Sequence, residues 1–116
     1  MAKSSRAELH PVPKPHRRIE RGFRSWLRTQ RCCVPDCRSS GAVRVQAAHV
    51  RSRGAGGADP NNLVPLCARH HVQQHTIGQT TFEARFHVDL TWEAHKYWRA
   101  WRILAARAGA RARPAF

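Results

Sequence analysis

Between residues 17 and 29 the apolar side chains fall at helical spacing. Ile19, Phe23, Trp26 and Leu27 make one stripe, and arginines 17, 18, 21, 24 and 28 occupy much of the remaining surface. The pattern predicts an amphipathic helix over residues 17–29. The segment from Ala42 to Val50 reads AVRVQAAHV, with β-branched residues at 43, 45 and 50 and polar ones between, and predicts a strand. Leu63 to Leu66 is a short extended piece, and Cys67 to Ile77 reads as a helix stopped by Gly78. Thr80-x-x-Glu83 is a capping-box pattern ahead of Phe82 and Phe86, which predicts a short helix. Asp89 is placed to cap another. Leu90, Ala94, Tyr97, Trp101, Leu104 and Ala108 then alternate steps of four and three, the stripe of a helix over residues 90–107, with Trp92 and Trp98 off it.

The breaks between these elements are informative. Residues 1–16 carry prolines at 11, 13 and 15 and little apolar periodicity, which predicts a flexible basic arm. Pro35 and Asp36, lying among Cys32, Cys33 and Cys37, mark a tight turn, and Ser39-Ser40-Gly41 breaks the chain again. Residues 51–62, RSRGAGGADPNN, form a loop long enough to be suspected of function. The tail from Gly109 reads as frayed. A chain of 116 residues is one domain with tails, here over residues 17–108. The expected class is α+β: a β-hairpin and helix core flanked by N- and C-terminal helices.

Charge and cysteine content sharpen this picture. There are 21 Lys+Arg, 18 of them arginine, against 7 Asp+Glu, for a formal net charge of +14. Such a balance points to a polyanionic partner, DNA first, although a basic helix face is also ordinary solvation. No apolar run could span a bilayer, and the N-terminus lacks the apolar core of a secretory signal. A cytoplasmic, reducing location follows, where four cysteines suit metal better than disulfides. So small a core also calls for a staple.

Cys67 and His70 are three residues apart and face one way from a helix start, whereas His71 and His75, four apart, share a different side of the same helix. One helix can thus serve two metals. Cys37 with either Cys32 or Cys33 completes a Cys₃His set for structural Zn²⁺. Knuckle, hairpin and then a helix bearing the second ligand pair is the treble-clef order. His49 ends the strand, Asn62 follows the glycine-rich loop, and His71 and His75 lie on the helix. This is the equipment of metal-assisted phosphodiester hydrolysis: an imidazole to take a proton from water, an amide to hold the imidazole's tautomer, and ligands for a divalent ion.

The stretch Ala47-Ala48-His49-Val50-Arg51, the glycine-rich loop, and Asn62-Leu63-Val64-Pro65-Leu66-Cys67-Ala68-Arg69-His70-His71-x₃-His75 resembles the HNH endonuclease (ββα-metal) superfamily, in particular its small phage-associated members. The resemblance covers residues 31–90. It implies a metal-dependent DNA endonuclease or nickase of weak sequence selectivity, with His49 as general base, Asn62 as orienter, His71 and His75 holding Mg²⁺ or Mn²⁺, and Cys67 and His70 in a zinc site. The form Cys-x-Val-Pro-x-Cys favours Cys32 over Cys33. Arg51, Arg53 and Arg69 are the expected DNA contacts, and phage or recombination proteins are candidate partners. Many members place Asp or His before the general base as a metal ligand. Here that residue is Ala48, so a third ligand must come from elsewhere, and Asp59 is the candidate. A zinc-stapled DNA-binding module without catalysis, and a treble clef serving protein assembly, are the competing readings. The oligomeric state is left open.

Overall fold

A computed structural model of the chain describes residues 14–41, 44–52 and 58–112. Most of the proposed arm (residues 1–13), the middle of the glycine-rich loop with Arg53, residues 42–43 and the last four residues lie outside them. The architecture is small α+β. Its order is α1 (Lys14–Leu27), β1 (Val45–His49), β2 (Leu63–Cys67), α2 (Ala68–Ile77), α3 (Gln79–Phe86) and α4 (Leu90–Ala112). The two strands pair antiparallel, from Val45 opposite Cys67 to His49 opposite Leu63.

All five residues of β2 are buried because the strand is covered on both faces. Leu63 joins Phe23, Leu27 and Trp98 on one side. Val64 and Leu66 face the other, with Ala48, Phe82, Leu90 and Ala94. This explains an apolar run without alternation in so short a sheet. Pro65 has no N–H to donate, yet its carbonyl accepts from Cys33 N–H at 2.8 Å, so the strand holds the cysteine knuckle.

The first and last helices meet through aromatic rings. Phe23 packs edge-on against Trp98 at 4.9 Å between centroids, and Trp26 lies 5.7 Å from Trp101. Gly22 permits the approach: a Cβ there would stand 2.6 Å from a ring carbon of Trp101. Helix α1 begins at Lys14, three residues before the expected start, with Pro15 in its first turn, where a missing N–H costs nothing.

Elsewhere the structure corrects the sequence expectations. The strand is shorter than residues 42–50. Thr80 is not a cap. Gly78 stands at the N-terminus of α3, with φ of 84° and no side-chain cap bond, and it also ends α2. Glu83 instead turns to α4 and accepts from Leu90 N–H at 2.7 Å. Asp89 does cap α4, accepting from Trp92 N–H at 3.0 Å. The buried face of α4 runs Leu90, Ala94, Trp98, so Trp98 is in the core at 6% exposure while Leu104, on the expected stripe, is 44% exposed. The helix continues to Ala112 rather than fraying at Gly109. Among the described residues no helix is long and apolar enough to cross a membrane.

Candidate metal cluster and histidine cleft

The cysteine knuckle is built by short-range geometry. Cys37 N–H bonds Val34 C=O at 3.0 Å, with Pro35 and Asp36 between, and Asp36 has φ of 69°. Pro in second place and positive φ in third is the signature of a type II turn. Cys32 N–H bonds Ser39 C=O, and a bridge between Arg31 and Ser40 closes the knuckle's base. The turn presents Cys32 and Cys37 to the start of α2. There Cys67 is the N-cap, its Sγ accepting from His70 N–H at 3.5 Å.

The ligand atoms of Cys32, Cys37, Cys67 and His70 all lie within 4.8 Å of one another. Cys67 Sγ is 3.2 Å from His70 Nδ1 and 4.0 Å from Cys37 Sγ, and Cys32 Sγ is 3.5 Å from the same imidazole nitrogen. A tetrahedral zinc with bonds of about 2.3 Å to sulfur and about 2.0 Å to nitrogen needs edges of about 3.5–3.8 Å. The cluster could therefore hold a structural metal ion such as zinc. Burial pushes the Cys32 thiol up to about 12 and lowers His70, so without a cation the Cys32 thiol resists ionising while the imidazole stays neutral. Burial also opposes ionisation of Cys37, but hydrogen bonds from Ser39 and from the thiols of Cys32 and Cys67 bring it below the ordinary value. A divalent cation would ionise the thiols that ligate it. Cys33 is not in the set. It packs against the core, where burial raises its thiol strongly.

On the other side of α2, His49, His71 and His75 line one cleft of about 470 Å³ together with Gln74. The Nε2 atoms of His71 and His75 are 3.2 Å apart. His71 Nδ1 faces Gln46 Oε1 at 2.7 Å. An amide oxygen only accepts, so Nδ1 carries the proton and Nε2 is unprotonated, able to accept from His75 Nε2–H or to ligate a cation. Burial, then the proximity of His75 and His49, lowers His71, which keeps it neutral. Two imidazole nitrogens at this separation, at least one with a free lone pair, form a donor pair suited to a divalent ion.

His49 is held from two sides. Gln74 Nε2 donates to its carbonyl at 2.9 Å, while Gln74 Oε1 is buried with no hydrogen-bond partner. Its Nε2 is 3.0 Å from Asp59 Oδ1. Asp59 also accepts a two-pronged contact from Arg24, at 2.7 and 3.0 Å. Hydrogen bonding to the Arg24 guanidinium holds the Asp59 carboxyl below its usual range. An ionised carboxylate only accepts, so His49 Nε2–H donates, and Nδ1 is the nitrogen that Asp59 does not engage.

Three sequence assignments change. Asn62 does not orient the imidazole. Both ends of its amide bond the backbone of Arg51, at 2.8 Å each, and its carbonyl accepts from Val50 N–H, so it fixes the chain just after His49. Asp59 is engaged by Arg24 and His49 rather than turned to the His71–His75 pair. Ala48 is 0% exposed in the apolar cluster with Val64, Leu66 and Phe82, away from the cleft. Gln46, Gln74 and Arg24 were missed. Gln46 had one sign, a polar position on the same short strand as His49. Arg51 and Arg69 are exposed, as a phosphate contact requires. No protein-family model, curated protein or solved structure matches the chain.

Proposed function

We propose that the protein is a metal-dependent endonuclease or nickase that hydrolyses DNA phosphodiester bonds with weak sequence selectivity, built as an HNH-type treble clef stapled by zinc. One observation carries the reading: His49, His71 and His75 line a single cleft, although they come from a strand and from the helix face opposite the Cys67–His70 pair. Hairpin followed by helix, with the cysteine cluster at the junction, supports the treble-clef assignment.

Each side chain has a task. Asp59, held by Arg24, binds His49 Nε2–H and leaves Nδ1 to take the proton from the attacking water. Asn62 and Gln74 fix the backbone at His49 and just after it. Gln46 sets the His71 tautomer. His71 and His75 would hold a divalent ion, whose chemistry when bound is to polarise a phosphoryl oxygen and stabilise the departing oxygen. Arg51 and Arg69 would meet phosphates.

Plasmid nicking in Mg²⁺ or Mn²⁺ tests the proposal. His49→Ala should lose about 10²–10⁴ in rate while keeping fold and zinc content. A His49→Ala protein that nicks like wild type removes the assignment. A wild type that binds DNA but stays inert with every divalent ion would favour the non-catalytic module, a reading supported by the absence, among the described residues, of a carboxylate in the lining of the cleft.

A further inference from the structure

Helix α4 carries a concavity that neither the cleft nor the cysteine cluster uses. It encloses about 350 Å³ between Trp92, His95, Lys96, Arg99 and Ile103. Trp92 is 59% exposed and Ile103 48%. The backbone that carries the indole is fixed, since Asp89 caps the N–H of Trp92. Lys96 Nζ lies 5.2 Å from the ring centroid and is paired at 2.9 Å with Glu93. A third depression, of about 360 Å³ and lined by Arg51, shares His95 with the α4 groove and Val50 and Gln79 with the histidine cleft. The three hollows thus adjoin in series, from His71 and His75 past Arg51 to Trp92.

We propose that this track seats an unpaired stretch of DNA strand, with one base stacked on Trp92 and phosphates beside Arg99 and Arg51. The inference rests on the endonuclease reading and narrows its substrate to DNA with a single-stranded segment next to the scissile phosphate. The chemistry favours this occupant. A duplex keeps its base faces inside the stack, whereas an unpaired base offers one to an exposed indole. Cations spaced along a groove match a phosphate backbone. A second copy of the chain, docked here about a two-fold axis, would bring His95, Lys96 and Arg99 against their own equivalents.

The probe is a labelled oligothymidylate of about 15 nucleotides, with a blunt hairpin duplex as comparison, titrated by fluorescence anisotropy without divalent metal. Trp92→Ala should weaken oligothymidylate binding about 5- to 100-fold, Trp92→Phe should retain most of the affinity, and duplex binding should change far less. Arg99→Ala should weaken it too, in a salt-dependent way. In Mn²⁺, wild type should cut a flap substrate faster than the duplex, and Trp92→Ala should erase that preference. Circular dichroism and zinc content confirm that the variants are folded. Equal oligothymidylate affinity in wild type and Trp92→Ala overturns the proposal, as does an equal loss for the duplex. A wild-type dimer that becomes monomeric on Trp92→Ala assigns the face to a second copy instead. If no substrate is cut yet oligothymidylate binding depends on Trp92, the endonuclease reading falls and the strand-binding track stands.

Discussion

Asp59 is the residue on which the cleft and the flanking helix converge. Its carboxylate bonds His49 and is gripped by Arg24, and its pKa is held down chiefly by that guanidinium. A folded-state pKa below the unfolded value stabilises the protein at pH above the unfolded pKa, about 3.9, and the benefit is lost as pH falls through the lower folded value. Asp59→Asn should therefore melt below wild type near neutrality, and the gap should close as pH drops below about 4. Taking the difference between two proteins cancels proton competition at the cysteine cluster. A constant gap across the series would show that Asp59 is not ionised in the contact. Ala48 makes the converse case. A carboxylate at this fully buried position would face Val64, Leu66 and Phe82 without a partner. Ala48→Asp should destabilise by several kcal/mol in denaturant titration. An equally stable variant with a lower divalent-metal requirement would instead mean that position 48 reaches the His71–His75 pair.

At the scale of elements, the cysteine cluster ties the knuckle, the end of β2 and the start of α2 into one unit. It was legible because two short spacings, Cys32 to Cys37 and Cys67 to His70, each place a ligand pair by local geometry. Spacing alone leaves Cys32 and Cys33 open, and only the resemblance favours Cys32; in the fold Cys32 joins the ligand group while Cys33 packs against the core. With two small apolar clusters as its core, the domain should depend on the metal for folding, since structural zinc can contribute on the order of 10 kcal/mol. Cys37→Ser or Cys67→Ser should yield unfolded protein by circular dichroism. Purified wild type should carry one tightly held zinc by elemental analysis, and finding none would refute the staple. Less of α4 was legible, because steps of four and three and steps of four alone both describe stripes on one helix. Packing on α1 adds Trp98 to the core beside the partly buried Tyr97 and Trp101 of the expected stripe, and Leu104 is left exposed. The Arg24–Asp59–His49 chain could not be read at all. It joins residues 35 apart through a loop whose closure has no local signature.

Across the whole molecule, the described acids are largely consumed internally. Asp59 serves Arg24 and His49, Glu83 and Asp89 cap α4, and Glu93 pairs with Lys96. The arginines at 51, 69, 85, 99 and 102 remain exposed, on a chain of net charge +14. On the proposed DNA-binding reading, a surface organised in this way would meet the strand through its phosphate charge more than through base edges. Binding should then release counterions in proportion to the phosphates met. For about six phosphates, the slope of log K against log salt should be about −5. Arg69→Ala should weaken binding to unrelated sequences by a similar factor and reduce the slope by about 1, because a backbone contact carries no sequence information. The check is a salt series by anisotropy on two oligonucleotides of different sequence. An affinity that ignores salt, or an Arg69→Ala loss confined to one sequence, would mean that base recognition rather than the phosphate backbone sets the affinity.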